Sequence, residues 1–155
     1  MRRKKKIERT LIPDPLYNDI LVAKFINHLM VCGKKAVARK VFYLTMEIIK
    51  TKSKEDPLEL FHNAINNLAP RVEVISRRIG GAHYQIPKEV SGERKNTLAI
   101  RWLISAARKA KGKSMEERLS AEILAILKYE GESIKKKKEI ERIAEANRAF
   151  AHFAW

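Results

Sequence analysis

Residues 71–87, RVEVISRRIGGAHYQIP, are the most informative stretch about the fold, because helical spacing gives way there to a run of β-branched residues. Gly80 and Gly81 supply the positive φ angles that a tight two-residue hairpin turn requires. The chain then returns over residues 82–86, and Pro87 is expected to end the second strand because it cannot donate a ladder hydrogen bond. A two-stranded ribbon is only marginally stable alone, so it must lean on the remaining chain.

On the N-terminal side, apolar residues at helical spacing predict three helices. Asp19 is placed to cap the first, over residues 19–31. A second helix is predicted over residues 34–52, and Asp56, followed by a proline and a later glutamate, opens a third that Pro70 ends. The apolar stripe expected for the second helix comprises Val37, Val41, Leu44 and Ile48.

On the C-terminal side, the same spacing predicts three more helices. The fourth begins at about Ser91 or Arg94 and runs to Ala110, and Ser114 begins a capping box that opens the fifth. The fifth ends near Gly131, and the sixth covers residues 133–150. The sequence therefore predicts a mainly α fold, with about six helices in one bundle-like domain and a protruding two-stranded antiparallel β-hairpin.

The chain has 155 residues, of which 45% are apolar, and this is enough for one domain with its own core. We predict a basic, flexible N-terminal arm over residues 1–12 and a single helical domain over residues 13–155, with the hairpin at about 71–87. No run approaches the ~20 apolar residues that span a bilayer, and the N-terminus lacks the apolar segment of a secretory signal. Cys32 stands alone, which excludes an internal disulfide, and we expect it in the core.

The net charge of +15 predicts a polyanionic partner. Residues 1–9 carry six basic side chains and one acidic side chain, and residues 71–113 carry eleven and three, so these segments hold thirteen of the fifteen excess charges. A generally solvated basic protein would spread its charges more evenly. The separation therefore indicates a basic face opposed to a neutral one.

The fourth helix carries the sharpest indication of such a face. Its arginines are seven residues apart and lie within about 40° of one another around the helix. The row comprises Arg94, Arg101 and Arg108, with Lys95, Trp102 and Lys109 beside it and Ala99, Ile100, Leu103, Ile104, Ala107 and Ala110 opposite as core. No acidic residue after Glu93 on this helix relieves them, which favours a nucleic-acid surface over an ordinary solvated face. Trp102 is interpreted as a core-edge residue rather than a base-stacking platform.

Two further basic clusters each leave two interpretations open. In the hairpin, arginine can contact phosphate, tyrosine can stack and glutamine can read base edges, although charge on a ribbon also discourages aggregation. Those residues are Arg77, Arg78, Tyr84 and Gln85. Four lysines at 135–138 begin the sixth helix, and they either bind an anion or pair with acids four residues on. The pairs would be Lys135 with Glu139 and Lys137 with Glu141, which leaves Lys136 and Lys138.

Signals of catalysis are weak, so no enzyme, metal or cofactor is predicted. The four histidines, His28, His62, His83 and His152, fall in four different elements without metal-ligand spacing. The residues around Gly33 lack the upstream glycine and the following hydroxyl of a phosphate-binding loop. The candidate functions are RNA binding and, from another class, architectural DNA binding with the basic ribbon in a minor groove.

Several long stretches, in order along nearly the whole chain, resemble a known family. They include Pro13-Asp14-Pro15, Gly33-Lys34-Lys35 and residues 76–81, 84–87, 98–102, 106–109, 113–115 and 143–153. The family is that of the seventh protein of the small ribosomal subunit, of bacterial or organellar type. Ala154, Cys32 and the stretch Ser91-Gly92-Glu93, which lacks a basic residue, depart from the residues usual in that family.

The resemblance implies a helical protein that binds the 3′ major domain of small-subunit ribosomal RNA, starts assembly of the subunit head and can repress its own messenger. It implies a hairpin near exit-site transfer RNA (tRNA), the ninth and eleventh small-subunit proteins as neighbours, no membrane, and a ribosome in the cytoplasm or an organelle. The remaining candidate RNA contacts are Arg2, Arg3, Lys4, Lys5, Lys6, Arg9, Lys34, Lys35, Lys111, Lys113, Met115 and Arg148. For the arm, a solubilising tail is the alternative.

Overall fold

The computed structural model describes residues 11–153. In that part of the chain, three α-helices precede one hairpin, three α-helices follow it, and a 3-10 helix comes last. The α-helices are α1 Ile20–Leu29, α2 Lys35–Lys52, α3 Pro57–Leu68, α4 Gly92–Lys109, α5 Met115–Leu127 and α6 Glu132–Ala146. The strands are β1 Val72–Ile79 and β2 Ala82–Glu89, and the 3-10 helix is Arg148–Phe153. The predicted mainly α fold with a β-hairpin is confirmed.

Three phenylalanines form the centre of the core. Phe25 of α1, Phe42 of α2 and Phe61 of α3 are fully buried. Their ring centroids lie 5.4, 5.2 and 5.4 Å apart, in tilted and edge-on arrangements that suit the charge distribution of aromatic rings. α5 packs on α2, α3 and α4, so its buried Leu119 and Ile123 close the bundle.

Acidic side chains fix where the first and third helices begin. Asp19 accepts hydrogen bonds from two backbone N–H groups in the first turn of α1, and Asp56 accepts one in the first turn of α3, as predicted. Each cap satisfies a donor that has no partner within the helix. The predicted capping box of α5 is wrong, because the Ser114 side chain makes no cap hydrogen bond. Glu116 and Glu117 instead complement the helix dipole in the first turn.

The hairpin has the predicted turn and leans on the C-terminal segment. Ile79 pairs with Ala82, and the two residues between them, Gly80 and Gly81, have φ angles of +57° and +91°. β1 packs on α6, and β2 packs on the 3-10 helix. Ile86 is 1% exposed and anchors the ribbon. The hairpin is therefore supported along one face rather than free on both.

Pro87 does not end the second strand, which continues to Glu89. The backbone N–H of Val90 donates to the carbonyl of Arg71. Bonded and non-bonded pairs alternate along an antiparallel ladder, so Pro87, opposite Val74, occupies a non-bonded position. The missing N–H of the proline therefore removes no ladder hydrogen bond, and the prediction that it stops the strand is wrong.

The apolar stripe predicted for α2 is wrong by one residue, or about 100° around the helix. Val37 is 58% exposed, and the other members of that stripe are only half-buried. The residues that face the core are Ala38, Phe42, Thr45, Met46 and Ile49. Phe42 is larger than any residue of the predicted stripe, so its burial against the other rings sets the rotation of the helix.

Three helix ends differ from the prediction and change what is exposed. α1 ends at Leu29, so Cys32 lies in the corner before α2 with a φ of +51° and is exposed rather than in the core. Ala110 follows the last residue of α4 and is also exposed, although it was assigned to the core face. α6 ends at Ala146, and the chain then tightens into the 3-10 helix, as is frequent at helix C-termini.

Candidate nucleic-acid interface

An open cleft of about 330 Å³ lies between the C-terminal end of α1 and α4. Arg101, Arg108 and Lys109 line it from α4, and His28 lines it from α1. The three cations are exposed, and no carboxylate of residues 11–153 lines the cleft. Packed helices therefore hold three positive charges around one concave surface.

The cleft continues on both sides into neighbouring grooves, because two of its cations are shared with them. Arg108 also lines a groove with Lys34 at the corner between α1 and α2. Lys109 also lines a groove with Lys136 between α4 and α6. We call this region the α4 surface, and it comprises His28, Lys34, Arg101, Arg108, Lys109, Met115, Lys135 and Lys136, with Glu132 and Glu139 at its edge beside α6. The structure thus brings together candidates that lie up to about one hundred residues apart in the sequence.

The guanidinium of Arg108 is held in place by the backbone. Its Nη2 donates to the carbonyl oxygen of Leu29 at 3.1 Å. Leu29 is the last residue of α1, where carbonyl groups lack partners within the helix. The hydrogen bond ties α4 to the end of α1 and leaves other donors of the guanidinium for an anion.

Sequence reasoning gave no indication that His28 belongs to this cleft. The available signal was its position at the edge of the apolar stripe of α1, three residues after Phe25. Burial, and secondly the positive charge of Arg101, lower the pKa of His28 from its ordinary value of 6.5. These surroundings therefore favour the neutral form of the imidazole.

Arg94 is engaged with an acidic residue of another element, although no acid of α4 itself relieves the arginine row, as predicted. Its Nε and Nη2 donate to Oε2 of Glu73 in β1 at 3.1 and 3.0 Å. Glu93, the next residue to it, pairs with Lys24 of α1 at 3.1 Å. Lys95 is half-buried beside them. Helical spacing missed these pairs because the partners come from other elements.

Trp102 is a core-edge residue, as predicted. It is 7% exposed, and Leu103, which follows it on α4, is fully buried. Its remaining surface lines the groove that contains Lys109 and Lys136. The indole therefore supports the backbone beneath these cations rather than presenting a free stacking face.

The hairpin presents its candidate residues on two different faces. Arg77 and Tyr84 lie opposite each other in the ladder and are half-buried. The ring centroid of Tyr84 lies 5.2 Å from that of Phe150, so a base that stacked on this tyrosine would compete with an existing contact. Arg78 and Gln85 lie on the other face and are exposed.

The lysine run of α6 makes neither of the two intrahelical pairs that were one of its two possible interpretations. The Nζ of Lys135 donates to Glu132 at 2.6 Å, and that of Lys137 donates to the backbone carbonyl of Asn67 at 2.7 Å. Glu132 lies in the first turn, where the helix dipole favours a carboxylate. The other two lysines of the run, Lys136 and Lys138, are exposed.

The remaining candidates lie apart from the cleft. Lys35 begins α2, Lys111 and Lys113 lie in the corner before α5, and all three are exposed. Arg148 forms an ion pair with Glu145 at 3.6 Å and lines a groove at the base of the hairpin. The predicted contacts of the arm, and Ala154, lie outside the described residues; those contacts are Arg2, Arg3, Lys4, Lys5, Lys6 and Arg9.

Residues 11–153 show neither a metal site nor a membrane-spanning helix. No cluster of three or more histidine, cysteine, aspartate or glutamate side chains there could hold a metal ion. No helix there is both long and apolar enough to cross a bilayer. Clustered cations are the outstanding chemical feature of this part of the chain.

A helical domain with a hairpin and clustered cations defines a nucleic-acid-binding class of protein. Residues 1–148 match the protein family described as ribosomal protein S7p/S5e. Proteins described as small ribosomal subunit protein uS7 are 52% identical in Thermosipho africanus and 53% identical in Pseudothermotoga lettingae, over the full length of both chains. One in Novosphingobium aromaticivorans is 48% identical over 99% of each chain. The chain therefore belongs to the ribosomal protein S7p/S5e family, which confirms the resemblance.

Proposed function

We propose that the chain binds ribosomal RNA through its α4 surface and fixes the position of that RNA. As a member of its family, the chain is a structural, non-enzymatic constituent of the small ribosomal subunit and acts in the cytoplasmic ribosome. RNA binding and a role in translation accord with this membership. Nothing in the comparisons supports the alternative of an architectural DNA-binding protein.

The cleft between α1 and α4 is the observation that carries this proposal. Arg101, Arg108 and Lys109 meet there without a carboxylate among the described residues that line it. Like charges at this spacing repel one another, and RNA phosphates would offset that repulsion. A surface that served only solubility would interleave acids with bases, as Glu145 and Arg148 do at the C-terminal end of α6.

The resemblance supports a more specific set of partners. We propose the 3′ major domain of the small-subunit ribosomal RNA as the ligand of the α4 surface, with binding there as an early step in assembly of the subunit head. The exposed face of the hairpin, with Arg78, His83 and Gln85, suits a second nucleic acid, for which we propose exit-site tRNA. The groove at the hairpin base mixes bases and acids such as Lys88 and Glu141, which suits a protein neighbour such as the ninth or eleventh small-subunit protein.

Salt dependence tests the proposed interface. If the arm, α4 and the hairpin neutralise about six to ten phosphates, the logarithm of the binding constant should fall with the logarithm of salt concentration by about 0.7–0.9 per phosphate. A transcript of the 3′ major domain is the probe, titrated in filter binding over a series of salt concentrations. A slope shallower than about −3 would refute a phosphate-dominated interface.

A competition experiment separates RNA from DNA as the ligand. The labelled transcript is bound at a fixed ionic strength of about 0.15 M and challenged with unlabelled transcript or duplex DNA. Unlabelled RNA should displace it at far lower concentration than DNA does. Equal displacement by the two competitors would show that the surface does not distinguish RNA from other polyanions. DNA binding would then again be a candidate function.

A further inference from the structure

The cleft between α1 and α4 contains one side chain whose charge depends on pH, in addition to its permanently charged side chains. Arg101, Arg108 and Lys109 are charged throughout the physiological pH range. The imidazole of His28 becomes charged only on protonation, and it then has two N–H donors rather than one. His28 is half-buried against the three cations, so its protonation depends on what occupies the cleft.

We propose that the cleft is a phosphate subsite of the RNA surface, and that His28 becomes its fourth, protonated ligand when an RNA phosphodiester enters. The inference rests on the proposed function and specifies the chemistry of one site within it. The imidazole takes one proton from solvent as the RNA binds and returns it when the RNA leaves. RNA affinity therefore rises as pH falls.

The surroundings of His28 oppose a charged imidazole in the free protein. Arg101, Arg108 and Lys109 face it from α4, and α2, which packs on α1, contributes no group to the cleft. On α1 itself, Lys24 lies one turn earlier and is paired with Glu93. Burial and Arg101 hold the pKa of His28 below its ordinary value. A phosphate in the cleft would add negative charge beside the ring and raise that pKa.

The backbone places the imidazole next to a fixed guanidinium. Arg108 donates to the carbonyl oxygen of Leu29, the residue that follows His28. A phosphodiester has two non-bridging oxygens, so one oxygen can accept from the arginine while the other accepts from the protonated ring. Hydrogen bonds between charged partners of this kind are roughly twice as strong as neutral ones.

Proton linkage provides the first test. A transcript of the 3′ major domain is titrated at constant salt near pH 8 and near pH 6 with the unchanged chain, His28→Gln and His83→Gln. Uptake of one proton limits the gain to about tenfold per pH unit, and we expect roughly five- to tenfold over the interval. His28→Gln should remove most of this gain, and His83→Gln, a change of the same type on the hairpin, should retain it.

Each result of this titration is decisive. A pH dependence that is unchanged in His28→Gln would overturn the assignment of the proton to the cleft. Loss of the dependence in His83→Gln alone would place the proton on the hairpin and would overturn it equally. If the folded, unchanged chain binds the transcript at neither pH, the proposed function itself fails, which is a different result from binding that ignores pH.

A second measurement does not depend on whether the variant folds. The ring-proton resonance of His28 is followed against pH by NMR in the free chain and in its complex with a short RNA from the same domain. The pKa should lie below 6.5 in the free chain and should be higher in the complex. An equal or lower pKa in the complex would overturn the proposal.

Discussion

The α4 surface and the hairpin carry similar side chains on very different supports. α4 presents its cations from a helix whose other side is buried through residues such as Leu103, so the backbone beneath them is fixed. The hairpin is a two-stranded ribbon that is supported along one face, where Tyr84 already packs on Phe150. Composition alone therefore does not define an interface, because packing determines which basic and aromatic groups can contact a ligand.

The two supports also suit different kinds of binding. A preorganised surface loses little freedom on association and therefore suits an RNA that stays bound. A ribbon of two strands buries little area, so we expect it to add little affinity and to suit a transient partner. The following experiments separate the two regions, beginning with the one of largest expected effect.

Removal of a core ring should undermine the support of the α4 surface. Phe42→Ala should lower the free energy of unfolding by about 3–5 kcal/mol, because a fully buried ring leaves a cavity. Denaturant unfolding measures this loss. Val37→Ala, on the exposed side of the same helix, is the matched control and should change stability by no more than about 0.5 kcal/mol. Similar losses in both variants would contradict the observed rotation of α2.

Removal of the three cleft cations should weaken RNA binding without unfolding the chain. The combined changes Arg101→Gln, Arg108→Gln and Lys109→Gln should reduce affinity by about ten- to hundredfold, or about 1.4–2.8 kcal/mol, and make the salt slope shallower by about two units. The control removes three exposed charges elsewhere, through Lys50→Gln, Lys52→Gln and Lys128→Gln. An equal loss in both triple variants would show that only net charge matters.

Shortening of the hairpin should affect RNA affinity much less. Replacement of residues 77–84 by a short turn should reduce affinity for the 3′ major domain by less than about threefold, because the ribbon adds little buried area. Subunits that contain the shortened chain should still assemble but should retain exit-site tRNA less well. Occupancy of the subunit and tRNA binding are the two measurements. Failure of the shortened chain to incorporate would show that the hairpin is an anchor.

The smallest expected effect is at the start of α4. Arg94→Ala should change the free energy of unfolding by no more than about 1 kcal/mol, because the ion pair of Arg94 with Glu73 is partly exposed. It should also weaken RNA binding less than Arg101→Ala does, because Arg94 already has a carboxylate partner. Binding of both variants under the same salt conditions provides the comparison. An equal loss of RNA affinity in the two variants would show that Arg94 contacts RNA as strongly as Arg101 does.

Features that depend on a few consecutive residues could be predicted from the sequence. The caps at Asp19 and Asp56 and the turn at Gly80 and Gly81 follow from the local chemistry of side chain and backbone. The number of α-helices and the basic character of α4 follow from spacing along the chain. The prediction that Cys32 lies in the core was wrong because it assumed a longer first helix. α1 ends before Cys32, and the thiol is exposed.

The helices, the hairpin, the excess of positive charge and the family of this protein can all be read from its sequence, because each is encoded in local pattern or in ordered similarity. Which charges remain available depends instead on contacts between distant parts of the fold. Arg94 meets an acid 21 residues away, and Arg108 meets a carbonyl group 79 residues away, so neither contact has a local signal. His28 joins the cations of α4 for the same physical reason: the burial of Phe25, Phe42 and Phe61 sets how the helices pack, and their packing brings distant polar groups together.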